Sequence, residues 1–163
     1  MAAELSPAMR ALYEGNRERG EQLLPPDDEL TVFEAAAFGR LEALGAILDA
    51  DPSQANALSP DGFTPLHLAC FAGGPAITQL LVERGADLER ISEAEIAQVR
   101  PLGTAAFSRD RASAKIVLDA GADPDGEGAG GSTPIQTAQA NGDDEMIRLL
   151  KSYGADVGSA GVG

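Results

Sequence analysis

Gly85-Ala86-Asp87 returns as Gly121-Ala122-Asp123 and again as Gly154-Ala155-Asp156, at spacings of 36 and 33 residues. Ahead of the first and third copies stand Thr64-Pro65-Leu66-His67-Leu68-Ala69 and Thr133-Pro134-Ile135-Gln136-Thr137-Ala138. A chain that repeats itself at this period is a stack of small units, none able to bury its apolar face alone. Within a unit, threonine caps a helix by accepting a bond from a first-turn N–H. Proline fits the first helical position, where its missing N–H costs nothing. Helix one is predicted over 65–72, with Gly73 supplying the left-handed turn that stops it. Helix two is predicted over 75–84, where Ile77, Leu80 and Leu81 share a face. Gly85 ends it, and the residues beyond Asp87 form an extended link.

The same register fits elsewhere. Pro101 opens a helix, Arg109 holds the turn, Ile116, Val117 and Leu118 fill helix two, and Gly121 ends it. Pro134 opens, Gly142 turns, Met146, Ile147, Leu149 and Leu150 pack, and Gly154 ends. Upstream, Ala35 and Ala36 lead to Gly39, then Leu44, Ile47 and Leu48, with Asp51-Pro52 at the exit; earlier still, Ala11 leads to Gly15 and then Leu23 and Leu24. Turns fall at 15, 39, 73, 109 and 142, and the first interval is the short one. This implies a degenerate capping helix pair over 1–30 and four repeats over 31–157 (31–58, 59–90, 91–126 and 127–157). Residues 158–163 are expected to be a disordered tail of small residues.

Three separated elements kept in register, Thr64 to Ala69, the turn at Gly73 and the ending Gly85-Ala86-Asp87, resemble the ankyrin repeat, over about residues 8–157. The resemblance implies an all-α solenoid of stacked helix–turn–helix units with β-turn fingers. It also implies that His67 ties the backbones of neighbouring fingers by hydrogen bonds. Repeat three departs from the pattern. Arg100-Pro101-Leu102-Gly103 stands where Thr, Pro, Leu and His are expected, and Arg109 replaces a glycine. A glycine inside a helix costs roughly 1 kcal/mol relative to alanine, and a non-glycine left-handed residue adds strain. Repeat three is therefore expected to be the least stable internal unit. In the long link before it, Ser92 and Glu95 have capping-box spacing, which suggests a short helical turn.

The bulk composition limits the choice of function. The 163 residues are 44% hydrophobic but only 4% aromatic, which suits closely packed alanine and leucine helices. The net charge of −14 disfavours nucleic acid and anionic membrane and favours a protein partner with a basic patch. No run of apolar residues reaches membrane-spanning length, and the first fifteen residues lack a signal-peptide core, so a cytoplasmic location is expected.

Candidate chemistry is weak. His67 and Cys70 lie at i and i+3 on one helix, which would allow a thiol–imidazole pair. However, the histidine fits its structural role and the cysteine occupies a small-residue position. Asp123-Pro124-Asp125-Gly126 begins like a calcium loop, but its twelfth position is Pro134 rather than glutamate. The glycine-rich stretch 126–131 has neither a preceding strand nor a following lysine, so it reads as a flexible finger tip, not a phosphate loop. Asp143, Asp144 and Glu145 suit a helix N-terminus. No catalytic residue, cofactor or metal is assigned.

The aromatic residues carry the functional signal. Phe71 and Phe107 lie two residues before their turn positions, Phe38 lies one further along, and Phe63 sits at the base of a finger. In ankyrin proteins these positions generally face the concave groove, whereas Phe33, matched to His67, is expected to pack inside. Ala72, Ser108 and Asn141 are expected as rim contacts, with Glu89, Arg90, Asp125 and Glu127 forming an acid-biased finger edge. The expected function is a non-enzymatic, monomeric protein-binding module. A self-associating structural protein and a thiol hydrolase are the alternatives.

Overall fold

A computed structural model describes residues 4–157; the expected tail at 158–163 lies outside them. Among the described residues there is no strand, and ten α-helices form five consecutive pairs. These are α1 (Pro7–Tyr13) with α2 (Arg17–Leu23), α3 (Val32–Ala37) with α4 (Leu41–Ala50), and α5 (Pro65–Leu68) with α6 (Pro75–Glu83). They continue as α7 (Pro101–Ser108) with α8 (Arg111–Asp119), and α9 (Pro134–Asn141) with α10 (Asp144–Ser152). The first helices α1, α3, α5, α7 and α9 pack in sequence as one layer, and α4, α6, α8 and α10 form the second.

Sequence explains both layers. Ala35, Ala36, Ala69, Ala105, Ala106 and Ala138 are completely buried, and their small side chains let the first helices approach closely. The second layer is held by larger residues one turn apart, Leu44 with Leu48, Ile77 with Leu81, and Met146 with Leu150, all buried. Thr31, Thr64 and Thr133 each build a complete capping box with the residue three positions on, Glu34, His67 and Gln136. Helix α7 lacks one. Its N-cap Arg100 makes no capping bond, and the third position is Gly103. Arg109 does take the left-handed conformation, at φ 62°.

Three details differ from expectation. First, α5 continues into a π turn over Ala69–Gly73, and the left-handed residue is Gly74 at φ 92°, not Gly73. In α1, α7 and α9 the left-handed residue comes nine positions after the cap; in α5 it comes ten after. The π turn absorbs the extra residue. Gly73 is needed for a different reason, since a Cβ there would fall 2.0 Å from the Ala36 carbonyl oxygen.

Second, α3 is one residue shorter, with the left-handed Gly39 only eight positions after Thr31. Counting from the cap, Glu34 and not Phe33 matches His67, and Glu34 Oε1 accepts the Thr31 N–H at 3.0 Å. Phe33 matches Leu66 and is half-buried.

Third, Ser92 and Glu95 form no helical turn. The buried Ser92 instead closes a loop: its hydroxyl donates to Ala97 O at 2.6 Å and accepts the Val99 N–H at 3.0 Å, while its own N–H donates to Val99 O. The stretch 126–131 is likewise docked, not a free tip, with the Ala129 N–H donating to Gln98 O at 2.8 Å.

Candidate functional site

Tyr13, Phe38, Phe71 and Phe107 each stand seven residues after the caps Ser6, Thr31, Thr64 and Arg100. That position ends the exposed face of helix one, so the stack displays an aromatic row. In the short α3, Phe38 is the C-cap residue, not part of the helix, and it turns inward: it is 3% exposed, lies against Gly20, and carries the Arg17 guanidinium 5.4 Å over its ring. Phe38 is therefore removed from the expected groove. With that ring withdrawn, Tyr13 reaches across repeat one to Phe71, 5.9 Å between centroids, and to Phe63 at 6.5 Å.

These rings border a cleft of about 350 Å³ on the first-helix side of repeats two and three. Phe63, buried, lines it with His67 and Leu68, as do Phe71 and Phe107 from the helices and Ile96 and Val99 from the Ser92-closed loop. Gly103, the position without a side chain in α7, also lines it. Ile96 and Phe107 are 83% and 65% exposed, the two most exposed large apolar side chains among the described residues, and both stand at this cleft. The Tyr13 hydroxyl is buried. Burial first, and the neighbouring Asp61 carboxylate second, push its ionisation far above the ordinary phenol range.

His67 holds the cleft together. Its Nδ1 lies 2.7 Å from the Thr64 hydroxyl and accepts the Thr64 N–H, and its Nε2 lies 2.8 Å from Val99 O in the next repeat's loop. The carbonyl can only accept, so Nε2 carries the proton and the ring is neutral. Burial lowers its pKa to about 4, against the opposing effect of the Val99 carbonyl. Cys70 is fully buried, and burial, with Asp110 adding to it, pushes its thiol up to about 12. Both imidazole nitrogens are engaged elsewhere, so the two residues do not form a thiolate–imidazolium pair. Among the described residues no three His, Cys, Asp or Glu side chains converge as a metal site, and no helix is long and apolar enough to cross a membrane.

A family model described as ankyrin repeats, three copies, matches residues 8–128. The chain belongs to the ankyrin repeat family. It is 31% identical over 123 residues to ankyrin repeat and SAM domain-containing protein 6 of Rattus norvegicus, covering 74% of this chain and 14% of that protein. It is 34% identical over 119 residues to a putative ankyrin repeat-containing protein of Treponema pallidum (strain Nichols), covering 72% and 39%. A third relative is ankyrin repeat and SOCS box protein 16 of Mus musculus, 35% identical over 100 residues, covering 58% and 22%. The chain thus spans well under half the length of these relatives. Ankyrin repeats are generally protein–protein interaction modules.

Within this ankyrin stack the expected site residues divide. Phe63, Phe71 and Phe107 meet at the cleft. Several expected rim residues serve the stack instead. The Ser108 hydroxyl donates to Cys70 O at 2.5 Å, and Asn141 Nδ2 donates to the Ala106 and Phe107 carbonyls. Ala72 O accepts from Arg17, and Asp125 accepts the Asp156 N–H. Glu89 is a staple as well: it pairs with Arg100 at 2.6 Å and accepts the Asp123 N–H, while Arg100 also reaches Glu127 O. Arg90 pairs with Glu93 at 2.8 Å. The Glu127 side chain is exposed.

Tyr13 and Ile96 are the cleft residues that sequence reasoning missed. Tyr13 could have been found, because it stands two residues before the turn at Gly15, as Phe71 and Phe107 stand before theirs. Ile96 had no signal beyond being an isolated apolar residue in a long link.

Proposed function

We propose that this ankyrin stack is a non-enzymatic binding module that holds a partner protein in the cleft between the first helices and the 92–99 loop. The observation that carries the reading is that Ile96 and Phe107, both largely exposed, line one apolar cleft together with Tyr13, Phe63 and Phe71. Exposed apolar side chains gathered at one concavity mark an interaction surface, and sites that bury ligand groups are roughly 300–1,000 Å³. Tyr13, Phe71 and Phe107 offer large, stiff contact area at low entropic cost, which suits them as hot spots. The fully used hydrogen bonds of His67, Ser92 and Ser108 keep the cleft preformed, so little ordering is needed on binding.

The test is a Phe71→Ser/Phe107→Ser double variant beside the wild type, both checked by circular dichroism. A protein captured by the wild type is purified and titrated against both forms by calorimetry. The reading expects at least about a hundredfold weaker binding by the variant, since two hot-spot truncations of about 2 kcal/mol each are lost. Equal affinity would move the site off the cleft.

A further inference from the structure

A second concavity adjoins the first. It measures about 520 Å³ and lies between the finger at Ser59–Phe63 and the 92–99 loop. Asp61, Glu93 and Glu95 line it, no basic side chain does, and Ile96 is common to both concavities. Its walls are fixed by backbone. The Ser59 N–H donates to Phe63 O at 2.8 Å, and the Glu93 N–H donates to Gly62 O at 2.8 Å. The carboxylates are only partly neutralised. Glu93 shares its charge with Arg90 and is 64% exposed, Asp61 accepts the Ser59 hydroxyl but has no ion-pair partner among the described residues, and neither has Glu95. Asp61 of this second concavity neighbours Tyr13, which lines the first.

An apolar cleft and an acidic one that share an exposed isoleucine fit one kind of occupant. Lysine and arginine lay their methylene stems along apolar surface while the charged head stays in polar surroundings, so a stem across Ile96 brings the head to the carboxylates. Resting on the cleft being the binding face, we propose that the partner segment carries a large apolar side chain followed within about two residues by lysine or arginine. The apolar residue seats between Phe71 and Phe107, and the cation crosses Ile96 to Asp61, Glu93 and Glu95. The chain's net charge of −14 draws such a segment in from solution and opposes acidic ones.

The test is selection of a phage-displayed random 12-residue peptide library on the immobilised protein. It is repeated on Glu93→Lys/Glu95→Lys and on Phe71→Ser/Phe107→Ser, all three forms checked for folding. The expected wild-type pool pairs Leu, Ile, Met or Phe with a nearby Lys or Arg. On the charge-reversed form the apolar preference persists, the basic preference disappears, and a synthetic wild-type-selected peptide binds at least about fivefold more weakly, as two exposed ion pairs warrant. An apolar preference without a basic one, or a basic preference untouched by charge reversal, overturns the two-part recognition while leaving the cleft standing. An identical pool on the phenylalanine variant, or no enriched pool on any form, overturns the cleft as well.

Discussion

Lowering the pH from 8 to 4 should destabilise this protein through His67 alone by about 3 kcal/mol. The buried ring has a pKa of about 4, against 6.5 for an unperturbed histidine. The folded-state value is the lower one, so between these pH values the unfolded chain binds the extra proton. The contribution is complete above pH 6.5 and is lost as pH falls through 4. With 1.36 kcal/mol per unit of pKa difference, the loss is about 2 kcal/mol at pH 5 and about 3 kcal/mol at pH 4, a large share of a domain's usual 5–15 kcal/mol. Geometry gives the same sign. A protonated Nδ1 loses its acceptor role toward the Thr64 N–H, and the new charge sits in the first turn of α5, where the helix dipole opposes cations. The control is His67→Gln, because Gln136 builds the same capping box in α9 without titrating. Urea unfolding from pH 8 to 4 should give wild-type and variant curves that converge by about 2 kcal/mol at pH 5, carboxylate effects being common to both. The chain has one histidine, so its ring resonances also report the folded pKa directly by NMR. Parallel stability curves, or a ring that titrates near 6.5 in the folded protein, would refute the reasoning.

Three further outcomes are expected. Gly103→Ala should stabilise the fold by about 1 kcal/mol, since the new Cβ meets Val99 at an ordinary 3.5 Å; urea unfolding measures it. Amide exchange should show residues 102–107 opening early in the wild type and later in this variant, and uniform protection across all repeats would contradict it. Gly73→Ala should cost about 2–3 kcal/mol by overpacking against the Ala36 carbonyl, and a thermal midpoint equal to wild type would show that the π turn yields easily. Cys70 should resist a thiol-specific disulfide reagent at pH 8 until the protein is unfolded; rapid reaction of the folded protein would disprove its burial.

The helix pairs were legible because most are signalled twice, by a capping residue or proline at the start and by a glycine at the turn, and the two signals keep a nearly fixed separation. Where that separation changes by one residue, the reading slipped. Counting back from Gly39 and Gly73 put Phe33 at the histidine position and Phe38 on the open face, because one-residue differences are invisible when only the stop is used. The structure shows α3 short and α5 long, and the side chain at the helix end points differently in each. The loop closed by Ser92 was illegible for another reason: its hydroxyl bonds join residues five and seven apart, outside any helical or turn periodicity. Glu89 read as a surface acid because nothing local announces Arg100 as its partner, eleven residues on.

These irregularities meet at one place. The shortened α3 withdraws Phe38 and lets Tyr13 reach Phe71. The lengthened α5 carries Phe71 on a π turn that ends at Gly74, a geometry found disproportionately at functional sites. The missing cap and the side-chain-free Gly103 weaken α7 and leave room beside Phe107. The long link before α7 supplies Ile96. A regular stack, with alanine at position 103 and a short link, would have a narrower cleft and would lack Ile96. Departures from local consistency concentrate where a fold trades stability for a site. The stabilising Gly103→Ala change therefore places its methyl group in the cleft, and it should weaken a cleft ligand while strengthening the fold. Stability and binding that rise together in that variant would separate the irregularity of repeat three from the cleft.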